Sequence, residues 1–203
     1  MTDQPSAPTT PSLPRTVAVG SDHAGFGLKE EIAKHLVERG IEVVDIGTHS
    51  TDRVDYPDYG AAVGRAVVSG RAQLGVAVCG SGLGICMAAN KVAGVRAASV
   101  HDVTSARLTR QHNDANVICL GERLIGVEVA KDAVDAWLEA TFEGGRHADR
   151  VAKLDALRKA GHSPASVLDQ STLKSWLDVF PLKADSKGAG MPWDGLLPDR
   201  PDQ

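Results

Sequence analysis

The chain has 203 residues, 42% of them hydrophobic and 24% charged, with a net charge of -4, which is enough for one sizeable core. Acidic and basic residues are interspersed, so there is no broad basic surface for nucleic acid and no polybasic segment for an anionic membrane; no run approaches the roughly 20 apolar residues of a membrane span. The three cysteines, Cys79, Cys86 and Cys119, form no C-x-x-C pair and leave an odd count, which disfavours a disulfide framework and a zinc site and suits a reducing, cytoplasmic compartment.

Residues 1–14, "MTDQPSAPTTPSLP", offer little to bury and read as a disordered tail without the basic start and apolar core of a signal peptide. From Thr16 the texture changes. "TVAVG" (16–20), "IEVVDIG" (41–47), "LGVAV" (74–78), "GVRAASV" (94–100) and "NVICLG" (116–121) are short β-branched runs that end near Gly or polar residues, the pattern of strands. Between them, Leu28, Ile32 and Leu36 form one helical stripe stopped by Gly40, Pro57 opens a helix running to residue 69, and Val127, Ala130, Val134 and Trp137 form another stripe. Near-continuously apolar strands alternating with helices predict an α/β, Rossmann-like, doubly wound sandwich around a five-stranded parallel sheet. The domain is expected to span 15–160. A C-terminal extension, 161–203, follows it, in which Leu173, Trp176, Leu177 and Phe180 after Ser171 predict a short amphipathic helix that packs on the domain or on a partner subunit.

Ligands of such sheets bind beyond the carboxyl ends of the strands. That rule selects "SDHAG" (21–25), "DYPDY" (55–59), "CGSGLG" (79–84) and "HD" (101–102). "CGSGLG" lacks the Lys of a Walker loop and has Ile85 in place of the third Gly of a dinucleotide fingerprint, so a nucleotide cofactor is not expected. What remains is a Gly-rich turn into a helix start, a setting that favours an anion and lowers the pKa of a neighbouring thiol. Cys79 is thus either the buried end of a strand or a reactive group; Cys86 and Cys119, within apolar stretches, read as packing. His112 and Asn113 precede the fifth strand, and "GGRHADR" puts Arg146 and Arg150 at i and i+4, two guanidinium groups on one helix face suited to a phosphate dianion. Asp22 and His23 are equally readable as a turn. His35, His49, His147 and His162 have no motif around them and read as surface residues.

Together, "SDHAG", "DYPDY", "CGSGLGICMAANK", "RQHNDANV", "LGER" and "EGGRHADRV", in this order, resemble the type B ribose-5-phosphate isomerase family, which includes the galactose-6-phosphate isomerase subunits; the resemblance covers about Thr16 to Arg158. It implies a cofactor-free and metal-free aldose–ketose isomerase of a phosphorylated sugar, working by ring opening and a cis-enediolate. Ribose 5-phosphate and ribulose 5-phosphate of the pentose phosphate pathway are the expected pair, and four- or six-carbon sugar phosphates (erythrulose 4-phosphate, allose 6-phosphate, galactose 6-phosphate) the alternatives. By the same resemblance Cys79 is the base, Ser81 assists proton movement, and His112 opens the ring. Asp22, His23, Tyr56, Gly80, Gly82, Leu83, Gly84 and Asn113 contact or orient the sugar and its enediolate. Arg123, Arg146 and Arg150 clamp the phosphate. The family builds its site between two subunits, so a homodimer, or a tetramer made from it, is implied. A cysteine hydrolase using Cys79 with His112, and a non-catalytic sugar-phosphate sensor, are the competing readings; neither uses the whole set of motifs.

Overall fold

The computed structural model describes residues 13–159; the helix expected at 173–180 lies outside them, as does all of the expected tail but Leu13 and Pro14. Five strands, β1 (Thr16–Ser21), β2 (Glu42–Asp45), β3 (Leu74–Cys79), β4 (Ala97–Ser99) and β5 (Val117–Gly121), form one sheet in the order β2-β1-β3-β5-β4, with every pair parallel. The helices are α1 (Phe26–Glu38), α2 (Tyr56–Val68), α3 (Leu83–Ala89), α4 (Val103–Asn113), α5 (Val127–Glu139) and α6 (Arg146–Lys159).

The strand alternation divides the core between the two faces of the sheet. Val17 and Val19, Val76 and Val78, and Ile118 and Leu120 point to the side of α1, α4 and α5, where they meet Leu28, Ile32, Leu36, Ala106, Val134 and the fully buried Trp137. Ala18, Ala77, Cys79, Val117 and Cys119 point to the opposite side, where Val63, Val67, Ile85 and Ala89 of α2 and α3 cover them. Small residues on this second face let α2 come close. A Cβ on Gly75 would lie 2.7 Å from Val63. Of the predicted α5 stripe, Ala130, Val134 and Trp137 are buried, while Val127 is 38% exposed because it opens the helix before the sheet covers it.

The fourth strand is shorter than its apolar run. Asn90 explains where the run stops being strand: its side chain accepts from Ala97 N–H (2.9 Å) and donates to Ala97 C=O (2.8 Å), an amide in place of another backbone on the sheet edge. The chain reverses its direction of travel across the sheet between β1 and β3, the topological switch point at which open α/β sheets bind ligands.

Candidate active site

The carboxyl ends of β1 and β3 meet at that switch point. Asp22, buried just past β1, folds back so that Oδ1 accepts from the N–H groups of Ala24 (3.0 Å) and Gly25 (3.1 Å), while its own N–H donates to Val78 C=O (3.3 Å). The turn reading of this residue therefore holds, and the turn is anchored to the strand that ends in Cys79. Gly25 has to be glycine, since a Cβ would sit 2.6 Å from the carbonyl carbon of Val78. His23 Nδ1 lies 3.0 Å from Val54 C=O and 3.3 Å from Val54 N, so either tautomer has a partner there and Nε2 is left outside that contact.

Cys79 is 4% exposed and its Sγ accepts from Gly82 N–H at 3.2 Å. Gly82 takes φ +75, and a Cβ on it would come within 2.9 Å of the Leu120 carbonyl carbon, so both conformation and space require glycine. The loop is pinned to the strand beside it: Glu122 N–H donates to Cys79 C=O and Arg123 N–H to Gly80 C=O, each at 3.0 Å. Ser81 Oγ accepts from Leu83 N–H (3.4 Å). With the Gly82 N–H taken by sulfur, the N–H groups of Gly84 and Ile85 in the first turn of α3 are those without an intrahelical acceptor. Tyr56 lies against this turn, since a Cβ on Gly84 would meet its ring at 2.7 Å. The Arg123 guanidinium lies 3.4 Å from where a Gly80 Cβ would be, which puts a cation beside the loop that follows Cys79. Leu83 is half exposed at the entrance to α3.

The other predicted residues are elsewhere. α4 runs back from the carboxyl end of β4 to the amino end of β5, so His112 and Asn113 in its last turn stand at the amino edge of the sheet. β5 alone spans five residues, roughly 16 Å at strand rise, between that edge and the one holding Cys79. Arg146 and Arg150 open α6 on one exposed face, as their spacing predicts, and they belong to the same edge as His112. Glu143 N–H donates to Gln111 C=O (3.0 Å), which docks the segment before α6 on the end of α4. Asp22, His23, Tyr56, Cys79, Ser81, the glycines and Arg123 are thus gathered in one place. His112, Asn113, Arg146 and Arg150 are gathered in another.

His147 is not the surface residue its sequence context suggested. It is 5% exposed, and its ring stacks on His112 with centroids 4.3 Å apart and planes 4° from parallel. Burial first, then the neighbouring His112 and Arg146, hold it below the ordinary histidine range. Its place one turn before the buried Val151 is the sequence signal that marks the inward face of α6. His112, Glu143 and His147 bring their ligand-type atoms within 4.8 Å of one another. Arg146 Nε donates to His147 Nε2 (3.4 Å), however, and parallel rings do not aim their lone pairs at one point, so this is a stacked pair of rings beside a carboxylate rather than a metal cage. His35 is also largely covered, 2.8 Å from Asp135, whereas His49 is exposed; His162 lies outside the described residues.

Of "HD", both residues are exposed, and Asp102 caps α4 by accepting from Ser105 N–H (2.8 Å) and Ser105 Oγ (2.9 Å), contacts that hold its carboxyl below the usual range. Cys119 is fully buried and its thiol is pushed well up, by burial and then by a hydrogen bond with Cys86, which agrees with a packing role.

Residues 17–154 match the family described as Ribose/Galactose Isomerase. The chain belongs to this family. Residues 144–201 also match a profile described as the YdaU C-terminal domain. Ribose-5-phosphate isomerase B of Escherichia coli is 52% identical over 145 residues, 71% of this chain and 97% of that protein. D-erythrulose-4-phosphate isomerase of Pectobacterium atrosepticum is 43% identical over 140 residues, 68% of this chain and 92% of that protein. The solved ribose-5-phosphate isomerase B of Clostridium thermocellum superposes with a TM-score of 0.70 at 53% identity, covering 71% of this chain and 97% of that one. The five-stranded all-parallel sheet of this family member is thus the fold of those isomerases, and among its described residues no helix is long and apolar enough to cross a membrane.

Proposed function

We propose that this chain is a cofactor-free aldose–ketose isomerase of a phosphorylated sugar, interconverting ribose 5-phosphate and ribulose 5-phosphate, with Cys79 as the base. The observation that carries the reading is the meeting of Cys79, Arg123, Tyr56 and the Asp22–His23 turn at the switch point of the sheet, in a chain whose relatives bear isomerase names. Cys79 takes the C2 proton of the open-chain aldose. The electron pair moves into an enediolate whose oxygens lie by the free N–H groups at the start of α3, donors of the kind worth a few kcal/mol to such a transition state. Return of the proton to C1 gives the ketose, while Ser81 moves the hydroxyl proton between O1 and O2.

A five-carbon aldose phosphate is mostly a closed furanose, so an acid–base group must open it first. His112 does this, and Arg146 and Arg150 hold the phosphate with Arg123. These residues stand at opposite edges of the sheet within one chain. The complete pocket therefore takes His112, Asn113 and the α6 arginines from a second copy, which makes a homodimer the smallest active unit. We place the enzyme in cytoplasmic pentose phosphate metabolism, with residues 15–160 as the catalytic domain.

The test is turnover in D2O with a panel of four- to six-carbon aldose and ketose phosphates. Deuterium appearing at C1 of ribulose 5-phosphate, and its loss in Cys79→Ala with sugar-phosphate binding retained, is the expected result. A covalent acyl-enzyme, or an active Cys79→Ala, overturns the reading.

A further inference from the structure

We propose that Glu143 and His147 are positioning residues for His112, holding the ring-opening imidazole in its working orientation; this rests on the role given to His112 above. A histidine 95% out of solvent keeps its place only if its polar atoms are answered. Arg146 Nε–H points at His147 Nε2 (3.4 Å), so that nitrogen carries a lone pair and the proton sits on Nδ1, giving a neutral ring. A neutral ring can lie flat against His112 at 4.3 Å without repelling it in the protonated state, and the stack restricts the rotation of His112 about its side chain.

Glu143 completes the arrangement. Its Oε2 lies 3.8 Å from His112 Nε2 and 3.6 Å from His147 Nε2. Since the His147 nitrogen has no proton to give, the carboxylate is a partner for His112, a contact that favours one orientation of its ring. The backbone bond from Glu143 to Gln111 C=O fixes the carboxylate beside the last turn of α4, so its position follows that of His112. Neither residue is given contact with the sugar; Glu143 acts through His112, and His147 acts through His112 while also accepting from Arg146.

The consequence can be separated from phosphate binding and from fold stability. Ribulose 5-phosphate cannot close a furanose, because its C5 oxygen carries the phosphate, so exchange of its C1 proton needs Cys79 and no ring opening. Net turnover of ribose 5-phosphate needs both. On the full-length protein, Glu143→Gln and His147→Leu are expected to lower kcat for ribose 5-phosphate by roughly tenfold or more, as misorientation of an acid–base group does, while in Glu143→Gln, which leaves the Arg146–His147 bond in place, KM and the rate of deuterium entry at C1 of ribulose 5-phosphate stay within about twofold of wild type. His147→Phe, which keeps a flat ring against His112, is expected to recover part of the loss. His112→Asn supplies the reference pattern: turnover lost, exchange kept. If His112→Asn shows that pattern and Glu143→Gln does not, the positioning role is wrong and the ring-opening role stands. If His112→Asn loses exchange and turnover alike, the ring-opening role itself fails. Equal loss of exchange and turnover in Glu143→Gln, or a change in KM alone, also overturns the inference. Glu143 is exposed, so its variant reports even if His147→Leu does not fold.

Discussion

Gly121 ends β5 opposite Cys79, and replacing it with alanine perturbs the loop that follows Cys79 without removing any side chain from it. An ideal Cβ on Gly121 would lie 2.6 Å from the carbonyl carbon and 2.7 Å from the carbonyl oxygen of Ser81. Both are backbone atoms, so no side chain can swing aside, and ordinary contact starts at 3.4 Å. The loop must retreat by about 0.8 Å, which moves Ser81, Gly82 and the N–H that Cys79 Sγ accepts from. Inserting a methyl group into such a close contact costs roughly 1–3 kcal/mol of stability, and a misplacement of about 1 Å in a site costs on the order of a hundredfold in rate. Gly121→Ala is therefore expected to fold, to lose about 1–3 kcal/mol in urea denaturation, and to lose one to two orders of magnitude in kcat/KM for ribose 5-phosphate. Gly126→Ala, five residues on with nothing within 4 Å of the added carbon, serves as the control and keeps its activity. Wild-type turnover in Gly121→Ala would refute the tight coupling of the β5 end to the Cys79 loop.

Glu122 supplies the cap that α1 lacks in its own sequence: its Oε2 accepts from Leu28 N–H at 2.8 Å, while Gly25 at the N-cap has no side chain to offer. Glu122→Ala should cost about 1 kcal/mol, read as a lower urea midpoint with faster amide exchange in the first turn of α1; an unchanged midpoint excludes the cap. His147, held below the ordinary value of about 6.5, leaves the unfolded chain to bind the proton first as the pH falls. Stability is then fully present above that value and declines below it as pH drops towards the folded-state pKa. Melting temperatures between pH 7.5 and 5.5 should fall more steeply for wild type than for His147→Gln, and equal slopes would contradict the assignment.

Strand positions were legible because their β-branched runs are long relative to the turns, and the α1 and α5 stripes because their inward faces are apolar. α4 is less visible: only Ala106 and Thr109 on it are buried, so it shows no hydrophobic stripe. Lys29 reads as a surface charge yet is fully buried, paired with Asp45 (2.8 Å) and Glu30 (2.7 Å), because the partner that makes burial tolerable comes from β2. Glu122 capping a helix 94 residues earlier in the chain leaves no local trace either. The site motifs were readable as a set, but the separation of Cys79 from His112 is a property of topology: it follows from α4 running antiparallel to the strands. Likewise the burial of His147 comes from its docking on α4, and within α6 only its i, i+4 spacing to Val151 hints at an inward face.

That separation makes subunit complementation the most direct test of a pocket shared between two copies. Cys79→Ala and His112→Asn each remove one half of every pocket, and a mixed dimer carries one pocket with both intact residues and one with neither. Co-expressed in equal amounts, the two nearly inactive chains should give roughly a quarter of wild-type turnover of ribose 5-phosphate, since half the dimers are mixed and each has one good pocket. Activity no greater than the mean of the two parents would contradict a shared site.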